Sequence, residues 1–228
     1  MVRYCLAAED NLNLIAVTKR RKKILVTGAS GGLGRYFRNN WPSGDCLVLS
    51  NRDATGGMLH LDLADAKLVE DVIASEAPTD VIHCAALADV DKCEREPEAA
   101  YLANVQATRF LVNALKHRCP DSKLVYISTD QVYAGPGPSS EITPAHPCNM
   151  YGWTKLWGED ISLQLPRTLV LRLNYVGIGT ERKPGLARWI SNSAANGVGV
   201  TLFKDVLFNP LHGRHIPQLM HMLLEQDT

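Results

Sequence analysis

Tyr151 and Lys155 stand four residues apart in Tyr151-Gly152-Trp153-Thr154-Lys155, at the start of a stretch with helical spacing. Side chains four apart share one face of a helix. An ammonium beside a phenol favours the phenolate and lowers a pKa that is normally about 10. Such a pair could pass a proton near neutral pH. Ser128-Thr129-Asp130 closes the preceding apolar run, where a hydroxyl would face the mouth of a crevice. Each signal has a plainer reading when taken alone. Tyr and Lys at this spacing occur on many exposed helices, and a hydroxyl after a strand is often a turn or cap partner.

A second chemical signal lies near the start. Thr27-Gly28-Ala29-Ser30-Gly31-Gly32-Leu33-Gly34 follows directly on Ile24-Leu25-Val26. A strand that ends in a glycine turn and reopens as a helix leaves backbone N–H groups unpaired under partial positive charge. Glycines let a pyrophosphate approach those groups closely. The spacing is G-x-x-G-x-x-G rather than G-x-G-x-x-G, and by itself it reads equally well as a tight loop. Its place between a strand and a helix gives it weight.

The elements that must position these residues follow from periodicity. Apolar runs at 24–26, 46–50, 80–85, 124–128 and 169–173 read as buried strands, with a weaker one at 58–61. Between them, 33–41, 66–75, 97–116 and 151–163 have helical spacing. Strands without alternating polarity, separated by helices, predict a doubly wound parallel α/β sheet of Rossmann type. Its ligand crevice opens at the carboxyl ends of the strands, where the motifs fall. Beyond Asn174 the pattern loosens into helices at 186–195 and 216–225 and a strand at 200–203, expected to form a small cap over the crevice. The division expected is an extension over 1–22, a dinucleotide-binding domain over 23–173 and a short substrate cap over 174–228.

Composition narrows the classes. The chain has 228 residues with 24 basic and 24 acidic side chains, so no broad basic surface is expected and nucleic acid is not the expected partner. Six cysteines lie scattered without Cys-x-x-Cys pairs, which argues against a zinc site or a disulfide scaffold and for reduced thiols in the cytoplasm. No metal is expected. No apolar stretch is long enough to span a bilayer. Residues 1–18 are mildly apolar and precede the basic run Lys19-Arg20-Arg21-Lys22-Lys23, the reverse of a secretory signal. The expectation is a frayed extension followed by a solvated basic linker.

Together with His83-Cys84-Ala85-Ala86-Leu87-Ala88-Asp89-Val90-Asp91-Lys92-Cys93-Glu94 and Ser128-Thr129-Asp130-Gln131-Val132-Tyr133, these motifs resemble the extended short-chain dehydrogenase/reductases. Within them the chain looks most like the dTDP-4-dehydrorhamnose reductase group. The resemblance covers roughly Lys23 to Pro210, as motifs in order. It implies that Thr129 hydrogen-bonds a substrate carbonyl and that Tyr151 protonates it. Lys155 would hold nicotinamide ribose hydroxyls and tune Tyr151, and Asn104 would support a proton path to Lys155. Gly28, Ser30, Gly31, Gly32, Leu33 and Gly34 would cradle the pyrophosphate, Asp62 with Leu63 would meet the adenine, and Ala85 and Ala86 would line the cleft.

An acidic residue at the end of the second strand binds a 2′-hydroxyl, whereas arginine accommodates a 2′-phosphate. Ser50-Asn51-Arg52 therefore favours NADPH, with NADH as the alternative because Asp53 follows. The resemblance implies an NADPH-dependent reductase of a 4-keto nucleotide sugar. Two other readings stay open: epimerisation or another carbonyl reduction on the same scaffold, and a non-catalytic cofactor-binding subunit like the β subunit of methionine adenosyltransferase. Arg182 and Lys183 could meet a diphosphate, although solvated surface charge explains them as well. The resemblance also implies a homodimer, with Leu111, Val112, Leu115, Leu156, Trp157 and Ile161 supplying an apolar face that the chain's own sheet would equally use.

Overall fold

The computed structural model describes residues 3–5, 15–17, 21–42, 44–135, 137–177, 179, 185–202, 204 and 209–226. In the segment expected to fray, β1 (Arg3–Cys5) pairs antiparallel with β2 (Ile15–Val17). The main sheet follows: β3 (Lys23–Thr27), β4 (Cys46–Asn51), β5 (Leu59–His60), β6 (Asp80–His83), β7 (Lys123–Ser128) and β8 (Thr168–Arg172). They lie in the order β5-β4-β3-β6-β7-β8, every neighbour parallel. The chain winds outward from β3 in one direction and then restarts at β6 in the other. That switch point is where a doubly wound sheet opens its crevice.

The helices are α1 (Arg35–Asn40), α2 (Ala66–Glu76), α3 (Val90–Arg95), α4 (Pro97–Tyr101), α5 (Ala107–Arg118), α6 (Met150–Ser162), α7 (Leu186–Ala195) and α8 (Ile216–Glu225). Local chemistry sets several of their starts. Asp65 caps α2 by accepting the N–H groups of Lys67 and Leu68, each at 3.0 Å, a contact worth about 1 kcal/mol. Pro97 occupies the first turn of α4, where its missing N–H costs nothing.

Strand residues alternate between two apolar layers, as the pleat requires. Leu25, Val81 and Leu124 meet Val69, Ile73, Leu111, Leu115 and Ile161 on one face. Ile24, Val26, Ile82, Val125 and Ile127 meet Phe37, Ile216, Met220 and Leu224 on the other. Each fully buried aliphatic side chain contributes about 1.5–3 kcal/mol.

Four expectations change. The helix expected over 97–116 is α4 and α5 joined by a π-helical turn, Leu102–Gln106, and α3 precedes it unforeseen. Residues 200–202 are not a strand; they follow Gly197 and Gly199 in irregular backbone. The far part of the expected cap belongs instead to the sheet's helix layer. Ile216, Met220 and Leu224, four apart, bury one stripe of α8 against the sheet beside α1. Finally, Leu111, Val112, Leu115 and Ile161 of the expected dimer face are taken up by the chain's own core, whereas Trp157 of the same set is exposed, beside Trp153. Arg182, Lys183, Phe203, Leu207 and Phe208 lie outside the described residues. Among the described residues, no helix is long and apolar enough to cross a membrane.

Candidate active site

β3 delivers Thr27 to the carboxyl edge of the sheet, and Gly28 follows with φ of +66°, a conformation side chains disfavour. A Cβ on Gly28 would lie 2.7 Å from the Cα of Ala85. The loop after β3 and the loop after β6 therefore touch at the switch point. A Cβ on Gly34 would fall closer still to the carbonyl of Gly28, so the loop is folded back on itself. The N–H of Gly31 donates to that carbonyl at 2.9 Å, and the N–H of Ala29 donates to Ser50 O on β4 at 3.0 Å. Ser30 and Gly31 lie exposed while Leu33 is buried against the sheet. The loop is a pre-formed backbone cradle of the kind a pyrophosphate fits.

At the end of β4 the Nε of Arg52 ion-pairs with Asp62 at 3.3 Å. The two residues expected at the ribose and the adenine are thus neighbours. Asp62 also accepts the N–H of Ala64 at 3.0 Å. Leu63 turns the other way and packs on the core. Ala85 is half-buried at the crevice floor and Ala86 is exposed at its rim.

The third group is assembled from β7 and α6. Asn149 caps α6 through the N–H of Gly152 at 2.7 Å, and its Nδ2 donates to Gln131 Oε1 at 2.9 Å. That pair of bonds ties the helix start to the turn after Thr129. The hydroxyls of Tyr151 and Thr129 are consequently brought close enough that Thr129 lowers the phenol's pKa. Thr129 also donates to Asp130 Oδ1 and accepts the N–H of Gln131, each at 3.2 Å.

Lys155 is 3% exposed. Its Nζ lies 4.0 Å from the centroid of the Tyr126 ring, and burial pulls its pKa down to about 7. Tyr151 is pushed up to about 12, chiefly by burial, with Thr129 opposing. The expected lowering of this phenol by the lysine is not found: burial dominates its pKa, and the ammonium rests over Tyr126. The result is a phenol that keeps its proton at neutral pH.

Asn104 is fully buried in the π-helical turn. Its Oδ1 accepts Leu87 N–H at 2.7 Å, and its Nδ2 donates to Leu87 O at 3.0 Å and to Thr154 Oγ1 at 2.9 Å. Its amide clamps the loop after β6 to α6, and its side chain is spent on that.

Three features escaped sequence reasoning. His83, 1% exposed, accepts from Thr27 through Nδ1 at 2.7 Å and bonds Thr108 through Nε2 at 3.0 Å. Thr108 donates onward to Asn104 O at 2.7 Å, which makes Nε2 the protonated nitrogen. Burial holds this imidazole down at about 3, neutral at every ordinary pH. Glu159, one turn past Lys155, receives a forked pair from Arg172, with Nη2 to Oε2 at 2.6 Å and Nε to Oε1 at 3.0 Å. It also accepts from Ser128. Tyr175 rests its hydroxyl on Gly32, between the glycine loop and Tyr151. Of the three, His83 stands in a stretch that the sequence singles out, and no pattern there assigns it a role.

The RmlD substrate binding domain family matches residues 22–228. The chain belongs to that family. It is an RmlD-like member of the extended short-chain dehydrogenase/reductases. It is 39% identical over 159 residues to methionine adenosyltransferase 2 subunit beta of Danio rerio, covering 67% of this chain and 47% of the relative. It is 38% identical over 154 residues to dTDP-4-dehydrorhamnose reductase of Streptomyces griseus, covering 65% and 47%. The chain thus spans about half the length of these curated relatives. In fold it is similar to a dTDP-4-dehydrorhamnose reductase from Bacillus anthracis in complex with NADP, with a TM-score of 0.81 at 23% identity, covering 92% of this chain and 72% of that one.

Proposed function

We propose that this protein is an NADPH-dependent reductase of a 4-keto nucleotide sugar, acting in the cytoplasm. The observation that carries the reading is the pairing of Tyr151 with Thr129 at the sheet's carboxyl edge, with buried Lys155 one helical turn away. The residues fit a dinucleotide: a glycine cradle closed on Ala85, Arg52 at the end of β4 for a 2′-phosphate, and Lys155 for ribose hydroxyls. NADPH, when bound, supplies the hydride that the carbonyl carbon receives. Thr129 donates to the carbonyl oxygen and orients it. Tyr151, neutral below about pH 12, passes its proton to that oxygen as negative charge develops there. Lys155, held near neutrality, steadies the phenolate left behind. Residues 23–173 carry the dinucleotide and part of 174–228 covers the sugar, and the protein works as a homodimer.

The test is NADPH oxidation with a dTDP-4-keto-6-deoxy sugar. Turnover by the wild type that Tyr151→Phe abolishes, with NADPH binding retained, supports the reading. A second reading is favoured by the likeness to methionine adenosyltransferase 2 subunit beta: a cofactor-binding subunit without turnover. NADPH binding with no oxidation on any keto sugar supports that instead.

A further inference from the structure

At the amino end of the sheet, opposite the glycine loop, β3, β6, β7 and β8 begin side by side. Lys22 immediately precedes β3, Lys123 opens β7 and Arg167 immediately precedes β8. The end of the basic run at 19–23 is therefore not a solvated linker; it meets cations from distant parts of the chain. With Arg21 and Arg118 they line an open cleft of about 490 Å³, a size typical of small-molecule sites. Two carboxylates, Asp80 and Asp121, share the lining with these five cations.

Among the described residues the cations are only partly neutralised. Lys22 ion-pairs with Glu225 at 3.2 Å and Arg118 with Glu70 at 2.6 Å. Arg167 donates to the carbonyl of Asp121 at 2.8 Å and Arg21 to that of Asp45 at 3.4 Å. Lys123 donates to the carbonyl of Gln226 at 2.5 Å. A carbonyl accepts a hydrogen bond without cancelling the charge. Arg118 stands in the last turn of α5, where a cation offsets the helix's negative end; Arg21 and Arg167 have no such duty. Pro78 and Pro120 add apolar wall.

We propose that this cleft is a second anion site that takes a di- or triphosphate group. Guanidinium forks match phosphate oxygens in pairs, and the proline rings face whatever the phosphates carry. The cleft lies across the sheet from the glycine loop, so the two can be filled together, and the inference does not depend on the function proposed above.

The test is a titration of the isotope-labelled chain with inorganic pyrophosphate, tripolyphosphate and ADP, followed by backbone amide shifts. The expected result is saturable shifts at Ala77, Thr79, Cys119 and Ser122. Binding should weaken about tenfold or more in an Arg118→Ala/Arg167→Ala variant, since each charge-assisted contact is worth about a factor of ten. Both side chains are exposed, and an unchanged melting temperature verifies the fold. ADP binding more tightly than pyrophosphate at those amides identifies a nucleotide; equal binding identifies a bare polyphosphate. Shifts confined to 28–34, no shifts, or equal affinity in the variant overturn the proposal.

Discussion

The ammonium of Lys155 sits 4.0 Å from the centroid of the Tyr126 ring, inside the protein, with Glu159 one turn further along the same helix. The ring's negative face and the nearby carboxylate soften the cost of burying the charge, but burial still wins.

Stability should therefore depend on pH through Lys155. Its folded pKa of about 7 lies below its ordinary 10.5. Above pH 7 the unfolded chain binds a proton that the folded one does not, so stability rises with pH. The window runs from about 7 to 9, before the unfolded-state thiols begin to ionise near 9.0. Urea unfolding across that range should show the rise in the wild type and a flatter profile in Lys155→Met.

His83 gives a second, separate pH window. Its folded pKa of about 3 lies below the ordinary 6.5. Stability is present above 6.5 and is lost as pH falls toward 3, because the unfolded imidazole takes up a proton first. Denaturation midpoints should drop over that interval in the wild type and less steeply in His83→Gln, whose absolute stability is lower.

Removing Arg172 should be costly. Glu159 has 4% of its side chain exposed and loses its forked partner. Arg172→Met should cost about 3–5 kcal/mol because a carboxylate is left buried and unpaired. The double variant Glu159→Gln/Arg172→Met should recover part of that loss. Equilibrium unfolding of the single and double variants measures both.

Arg52 should set cofactor preference. Its side chain is 69% exposed and ion-pairs with Asp62 at 3.3 Å. Arg52→Ala should weaken NADPH binding about tenfold or more while leaving NADH nearly unchanged. Fluorescence titration with each cofactor distinguishes the two.

Much of the site was legible because its parts are local. Gly28 to Gly34 follow one strand, and Tyr151 and Lys155 share one helix turn. Thr129 was readable because a strand's end must open on the crevice. What periodicity could not supply were contacts between distant segments. Arg172 and Glu159 come from a strand and a helix, and neither position carries a pattern that names the other. His83 reads as one more residue of an apolar strand until Thr27 and Thr108 close on its two nitrogens. The helix over 216–225 was legible, but helical spacing does not say which surface covers it, and its stripe lies on the sheet rather than over the crevice. The same ambiguity misdirected the dimer face, whose leucines serve the interior.

The wide turn at Leu102–Gln106 acts as a crank in an otherwise straight shaft. It holds one residue more than a regular coil would over the same rise. Striking out a single residue there would restore a uniform rod and swing everything upstream by about 100° relative to α5. The amide of Asn104 would then sweep away from Leu87 and Thr154, and the alignment of α6 with the crevice would go with it.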